Sequence, residues 1–420
     1  MGEQAEQRSL SSIVGKMRKH GLSWTARRVR QKLYGGSGRV LQSARALTGR
    51  LLQSARITTG KMSWVFPESR FLLRPVPSDR KRVLAIWDFR SQPYSIGDLL
   101  LLQESALILC HQHGVDKIDV CLLAEPDEPS RPSFKDLNVN SSNYMGFIVS
   151  LLPVLLAESH IGELHLFDSH AALENYIGNN AHRYYIWPTA DIYLNRKDLG
   201  FLALLFLAEF YEKHGYVPPL TFRPALVDKA SSFIAQHVSP AVPFVVQLRN
   251  VDTYNTFRNS VIESWLELFR YCENRFPVRF IVICSKAEVD DRLRHFGNVI
   301  IAKDFDTTVD LDLALIQSAA AYMGMSSGPS TVAFLGNKPY SMLNTWVEPG
   351  WFDKVVIKQP WGFSFIFSHE HQRCIAGHET PEVLIDEFSR LFSAIDISAW
   401  QSFASQAASV DLGEAPLRLR

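Results

Sequence analysis

The chain is poor in cysteine: five in 420 residues, with no C-x-x-C pair. Cys110, Cys121, Cys272, Cys284 and Cys374 are odd in number and widely spaced. That pattern argues against a disulfide framework and for buried thiols in a reducing compartment. Long apolar runs are also missing. The best candidates, YMGFIVSLLPVLLA (144–157) and LGFLALLFLAEF (199–210), fall short of the roughly 20 residues needed to span a bilayer. The opening residues, MGEQAEQRSL, are polar and contain no signal-peptide core, so a cytoplasmic protein is expected. No G-x-G-x-x-G follows the first apolar strand and there is no Walker A sequence. Dinucleotide oxidoreductases and P-loop NTPases are therefore poor readings.

What is present is the composition of a globular protein, 46% hydrophobic and 21% charged, at a length suggesting two domains plus extensions. The net charge of +1 conceals an asymmetry. Residues 1–61 hold 13 Lys and Arg against two acids, leaving 31 bases and 41 acids for the rest. Within this arm LQSARALTGR at 41 nearly repeats as LQSARITTGK at 52. An offset of 11 residues is close to three helical turns, so both copies share a face. A basic amphipathic arm over 1–65 suits an anionic membrane surface, which would make the protein peripheral on the inner face of a membrane. A solvated basic extension explains the same residues, and no nucleic-acid partner is expected.

From residue 81 apolar strands alternate with amphipathic helices. KRVLAIWD reads as a buried strand, GDLLLLQESALILCHQHG as a helix ending at Gly114, and KIDVCLLAE as the next strand. A helix containing Pro153, two more strands and a helix over 201–215 complete a first unit, 80–222. After the proline-rich YVPPLTFRP and a bridging helix the alternation restarts at PFVVQLR (243–249). It continues through AEVDDRLRHF, read as a helix, to a last helix capped by Thr380 and Pro381. This second unit covers 240–395, and 396–420 is a tail. The expected class is α/β, with two Rossmann-like doubly wound domains and ligands bound at the carboxyl ends of the strands.

Three stretches can carry chemistry. In GMSSGPSTVAFLG a strand ends in the small residues Ser326, Ser327 and Gly328, and a helix begins near Ser330 and Thr331. Small side chains let a ligand approach the backbone, and a helix start attracts anions; a tight capped turn would look the same. In PYSIGDLLLL, Ser95, Gly97 and Asp98 precede an apolar helix, so Asp98 is either a cap or a base. In QLRNVDTYNTFRNS, Arg249 ends a strand and Arg258 precedes a helix. Two guanidiniums there would neutralise a diphosphate without a metal. The D-x-D acids Asp304, Asp306, Asp310 and Asp312 flank a helix start and read as structural. FSHEHQRC, with His369, Glu370, His371 and Cys374, reads as a loop, lacking a second ligand pair at zinc spacing.

The turn at 326–331 and the S-x-G-D element resemble those of the lipopolysaccharide heptosyltransferases, a GT-B glycosyltransferase family. Ser326 stands where that family has Asp, and Thr331 where it has His. The resemblance implies a GT-B-like fold over 81–395 and a metal-independent enzyme. Its donor would be a nucleotide-diphosphate sugar and its acceptor a glycan or glycolipid. Asp98 would be the general base, with Ser95 and Gly97 on the acceptor side. Arg249, Arg258, Ser326, Ser327, Gly328, Ser330 and Thr331 would bind donor. The element around Arg249 is similar to the H-x-R-R of GT-B fucosyltransferases, with Gln247 and Asn250 in place of His and the second Arg. A nucleotide-sugar epimerase and a catalytically silent binding protein of the same fold are the alternatives.

Overall fold

The computed structural model describes residues 80–400 apart from 125–138, 141, 190–191, 194–198, 253–254, 346, 348 and 399. The basic arm and most of the tail lie outside the described residues. The first half is built on β1 (Arg82–Asp88), β2 (Ile118–Leu123), β3 (Ile161–Phe167) and β4 (Tyr184–Trp187). They form a parallel sheet in the order β3-β2-β1-β4. Its helices are α1 (Ile96–His113), α2 (Tyr144–Ala157), α3 (His170–Asn180) and α4 (Leu199–His214). β1 and β2 are buried almost throughout, as expected of central strands covered on both faces. α1 is buried nearly all round and stops at Gly114, whose φ of 62° only glycine adopts freely.

A bridging helix, α5 (Pro224–His237), leads into β5 (Val242–Gln247). Then follow α6 (Ile262–Cys272), β6 (Val278–Ile283), β7 (Val299–Ile301), α7 (Val309–Ser318), β8 (Ala321–Met325), α8 (Ser330–Phe334) and β9 (Tyr340–Leu343). Three short strands, β10 (Val356–Gln359), β11 (Gly362–Phe365) and β12 (Gln372–Ile375), and a final helix α9 (Pro381–Ser393) end the described fold. The strand order from β7 is β7-β6-β5-β8-β9-β12, all parallel, extended by β11 and β10 in antiparallel pairing. The order reverses direction between β5 and β8, the position where doubly wound sheets bind ligands.

The two halves are more tightly joined than a proline-rich linker suggests. One apolar cluster contains Leu100 and Leu207 from the first half and Val245, Ile281 and Leu315 from the second. All described residues fall within one compact unit, Pro67–Arg420. Two expectations change. AEVDDRLRHF forms two short 3-10 turns, Lys286–Glu288 and Asp291–His295, because Leu293 is its one buried side chain and there is no apolar stripe to pack. FSHEHQRC is only partly loop: Cys374 is fully buried in β12. Two of the four D-x-D acids have structural partners, Asp304 with Arg294 and Asp312 with Lys303. Among the described residues no helix is long and apolar enough to cross a membrane.

Candidate active site

Both sequence motifs lie at helix starts, and the fold brings those starts into contact. Ser95 is the N-cap of α1, with extended backbone and no side-chain cap bond. Its carbonyl accepts from the Leu99 amide at 3.2 Å. Gly97 is buried and Asp98, in the first turn, is half-buried. Against Gly97 lies the turn between β8 and α8. A Cβ on Gly97 would sit 3.0 Å from Thr331 Oγ1 and 3.3 Å from Gly328 Cα. A Cβ on Gly328 would sit 2.8 Å from the Cβ of Ile96. The residue before the candidate base therefore touches the candidate donor turn. Beside it, burial first, then Tyr144 and Asp88, push the Tyr94 hydroxyl up to about 12, which keeps it a donor at neutral pH.

The turn is largely self-satisfied. Ser330 Oγ donates to the Ser327 carbonyl at 2.6 Å and accepts from the Ser327 amide at 3.2 Å. The amides of Ser326, Ser330, Thr331 and Val332 all have backbone acceptors. α8 is only five residues long, so its dipole is small. Gly324, inside β8, is small because Gln247 packs against it: a Cβ there would sit 2.9 Å from the Gln247 Cβ. Ser327 Oγ donates to Gln247 Oε1 at 2.8 Å, locking the end of β5 to the end of β8 where the strand order reverses.

Arg249 is 7% exposed and supports its own loop. Its Nη1 donates to the Asn255 carbonyl at 2.8 Å and to Asn259 Oδ1 at 2.7 Å. Its backbone exchanges hydrogen bonds with Ser260. Arg258 is half-buried beside Phe257, which is 60% exposed. Asn344, after β9, donates from Nδ2 to the Phe257 carbonyl at 2.6 Å. Two acids missed by the sequence reading fasten this edge. Glu288 accepts from the amides of Asn250 and Ser285. Glu379, 3% exposed, accepts from the amide of Val261.

A second polar cluster lies where the first sheet reverses, between β1 and β4. Asp88 Oδ2 accepts from Tyr193 at 2.5 Å and from Arg90 Nη2 at 2.7 Å. Asp88 and Tyr193, with Ser91, Gln92 and Leu199, line a cavity of about 10 Å³, room for a single water. Nothing near Asp88 in sequence announced Tyr193, 105 residues away.

No protein-family model matches the chain, and no curated protein matches its sequence. Solved structures similar to it are named as glycosyltransferases. A family 9 glycosyl transferase from Veillonella parvula is 10% identical, covering 79% of this chain and 97% of that one, with a TM-score of 0.43. The ADP-heptose lipopolysaccharide heptosyltransferase II of E. coli is 14% identical over 75% and 99%, with a TM-score of 0.40. The fucosyltransferase NodZ from Bradyrhizobium is 12% identical over 62% and 94%, with a TM-score of 0.26. With identities this low and TM-scores below 0.5, the likeness does not speak to the chemistry of this chain. The chain is similar to GT-B glycosyltransferases of the heptosyl and fucosyl kinds, and distantly so.

Proposed function

We propose that the protein is a glycosyltransferase that moves a sugar from a nucleotide-diphosphate sugar to a glycan or glycolipid acceptor. The observation that carries this reading is the contact of Gly97 with Gly328 and Thr331. It sets the half-buried carboxylate of Asp98 one residue from a turn of small side chains at the strand-order reversal. Asp98 takes the proton of the acceptor hydroxyl as its oxygen bonds to the anomeric carbon. The bond from that carbon to the diphosphate oxygen breaks, and the diphosphate leaves as an anion. Ser95 and Gly97 lie on the acceptor side; Ser326, Ser327 and Gly328 face the diphosphate, and Ser330 and Thr331, 2% and 4% exposed, brace the turn from behind. Arg258 supplies positive charge, while Arg249 holds the loop that carries it. No metal is needed, because guanidinium charge does that work. The arm, residues 1–65, places the enzyme on an anionic membrane surface.

A thermal-shift panel of nucleotide sugars tests donor binding, since a ligand at 100 times its Kd stabilises by about 2.7 kcal/mol. No shift with any donor removes the reading. A second reading, a binding protein without turnover, draws on the internal satisfaction of the turn amides and of Arg249. It predicts binding of a glycan with no release of nucleoside diphosphate when donor and acceptor are both present.

A further inference from the structure

Away from this site, α2 and α5 flank a groove of about 460 Å³. That volume lies within the roughly 300–1,000 Å³ typical of ligand sites. Residues 137–157 contain no charged side chain. On α2, Val149 is 55% and Leu156 39% exposed, although large apolar side chains are usually buried. These two residues and Leu152 form one wall of the groove, and Leu226 of α5 contributes to the other.

The rim is charged. Arg223 and Lys229 line the groove, and both are exposed. Neither makes an ion pair among the described residues; Arg223 Nη2 donates to the Ile161 carbonyl at 3.4 Å. Asp310, in the first turn of α7, is the acid that lines the groove. α5 begins at this rim with no acid in its first turn, so its positive end adds to the two cations.

We infer that this groove binds an anionic membrane phospholipid. Its acyl chain lies along α2 and its phosphate between Arg223 and Lys229. An apolar wall under a cationic rim matches an anionic amphiphile at both ends. A second copy of the chain docking through the same groove would set two basic rims face to face, because a two-fold interface repeats one patch. This inference does not depend on the glycosyltransferase reading.

Calorimetry on the full chain with dihexanoyl-phosphatidylglycerol, used as a monomer, tests it. The controls are dihexanoyl-phosphatidylcholine and inorganic phosphate. The phosphatidylglycerol binds, the phosphatidylcholine binds at least about fivefold more weakly, and phosphate alone gives no heat. Lys229→Glu lowers phosphatidylglycerol affinity by about fivefold or more. Val149→Ser with Leu156→Ser lowers affinity for both lipids. These side chains are exposed, so unchanged melting confirms that the variants fold. The basic arm is present in every sample, so differences between variants report the groove. Equal phosphatidylglycerol binding by wild type and Lys229→Glu overturns the inference, as does equal binding of inorganic phosphate. A change of oligomeric state in the Val149 variant, seen by sedimentation, also overturns it and assigns the groove to self-association.

Discussion

Gly97 and Gly328 face each other across the two halves of the molecule with no space for a methyl group at Gly328. A Cβ there would come within 2.8 Å of Ile96 Cβ and 3.1 Å of the Gly97 amide nitrogen. Gly328→Ala should therefore push the start of α1 off the turn. The expected cost is about 1–3 kcal/mol, the scale of overpacking a tight site. Gly97→Ala should cost less: it meets the Thr331 hydroxyl at 3.0 Å, and alanine recovers up to about 1 kcal/mol of helix propensity. Melting temperatures settle the order. If the Gly328 variant melts like wild type, the contact is looser than described.

Asp98→Asn separates a base from a structural acid. The side chain keeps its shape, and losing the charge in the first turn of α1 costs about 0.3–1 kcal/mol. Transfer should fall by roughly 10²–10⁴ with donor binding intact. Near-normal turnover in the folded variant would leave Asp98 a structural acid.

Arg249→Ala should act mainly on the loop. Removing Nη1 leaves the Asn255 carbonyl and Asn259 Oδ1 without their charged donor. The expected loss is about 1.5–3 kcal/mol of stability. Arg258→Ala should weaken nucleoside diphosphate binding by more than it lowers melting. Calorimetry and melting on both variants distinguish the roles; a destabilised Arg258 variant with wild-type affinity reverses the assignment.

Stability should fall as pH rises through neutrality, in part because of Glu379. Burial raises its carboxyl from 4.5 to about 7 in the folded protein, against the opposing pull of the Val261 amide. Between those values the folded state holds a proton that the unfolded state has released. The contribution is fully present below about pH 4.5 and lost as pH passes about 7. The shift corresponds to about 3 kcal/mol. Glu104, fully buried with no hydrogen-bond partner for either oxygen among the described residues, is raised by burial and by Glu158, so it adds a slope of the same sign. In Glu379→Gln the drop across this window should shrink without vanishing. An unchanged pH dependence of melting would exclude Glu379 as its source.

The sequence was informative where function rests on local spacing. Apolar alternation marked the parallel strands, and the order Ser95, Gly97, Asp98 marked the start of α1. The small residues from Ser326 to Gly328 marked the turn. It was mute where partners meet through topology. Gln247 reaches Ser327 only because β5 and β8 are neighbours. Asp88 reaches Tyr193 across 105 residues. The bonds of Arg249 to Asn255 and Asn259 were equally hidden, because an arginine after a strand is ambiguous until its loop is folded around it. β10 to β12 escaped notice because each has four residues, too few for alternation to stand out, and their register is set by pairing, β12 on β9, β11 on β12 and β10 on β11.

The burial of all five cysteines has a practical consequence. Desolvation pushes the thiols of Cys110, Cys272 and Cys284 up to about 12, and raises Cys121 and Cys374 as well. At neutral pH these thiols stay protonated, and the thiolate is the species that reacts. Maleimide dyes and spin labels should pass over the native chain. A single cysteine introduced on the outer face of α2 or beside Phe257 can then carry a probe in an otherwise wild-type background.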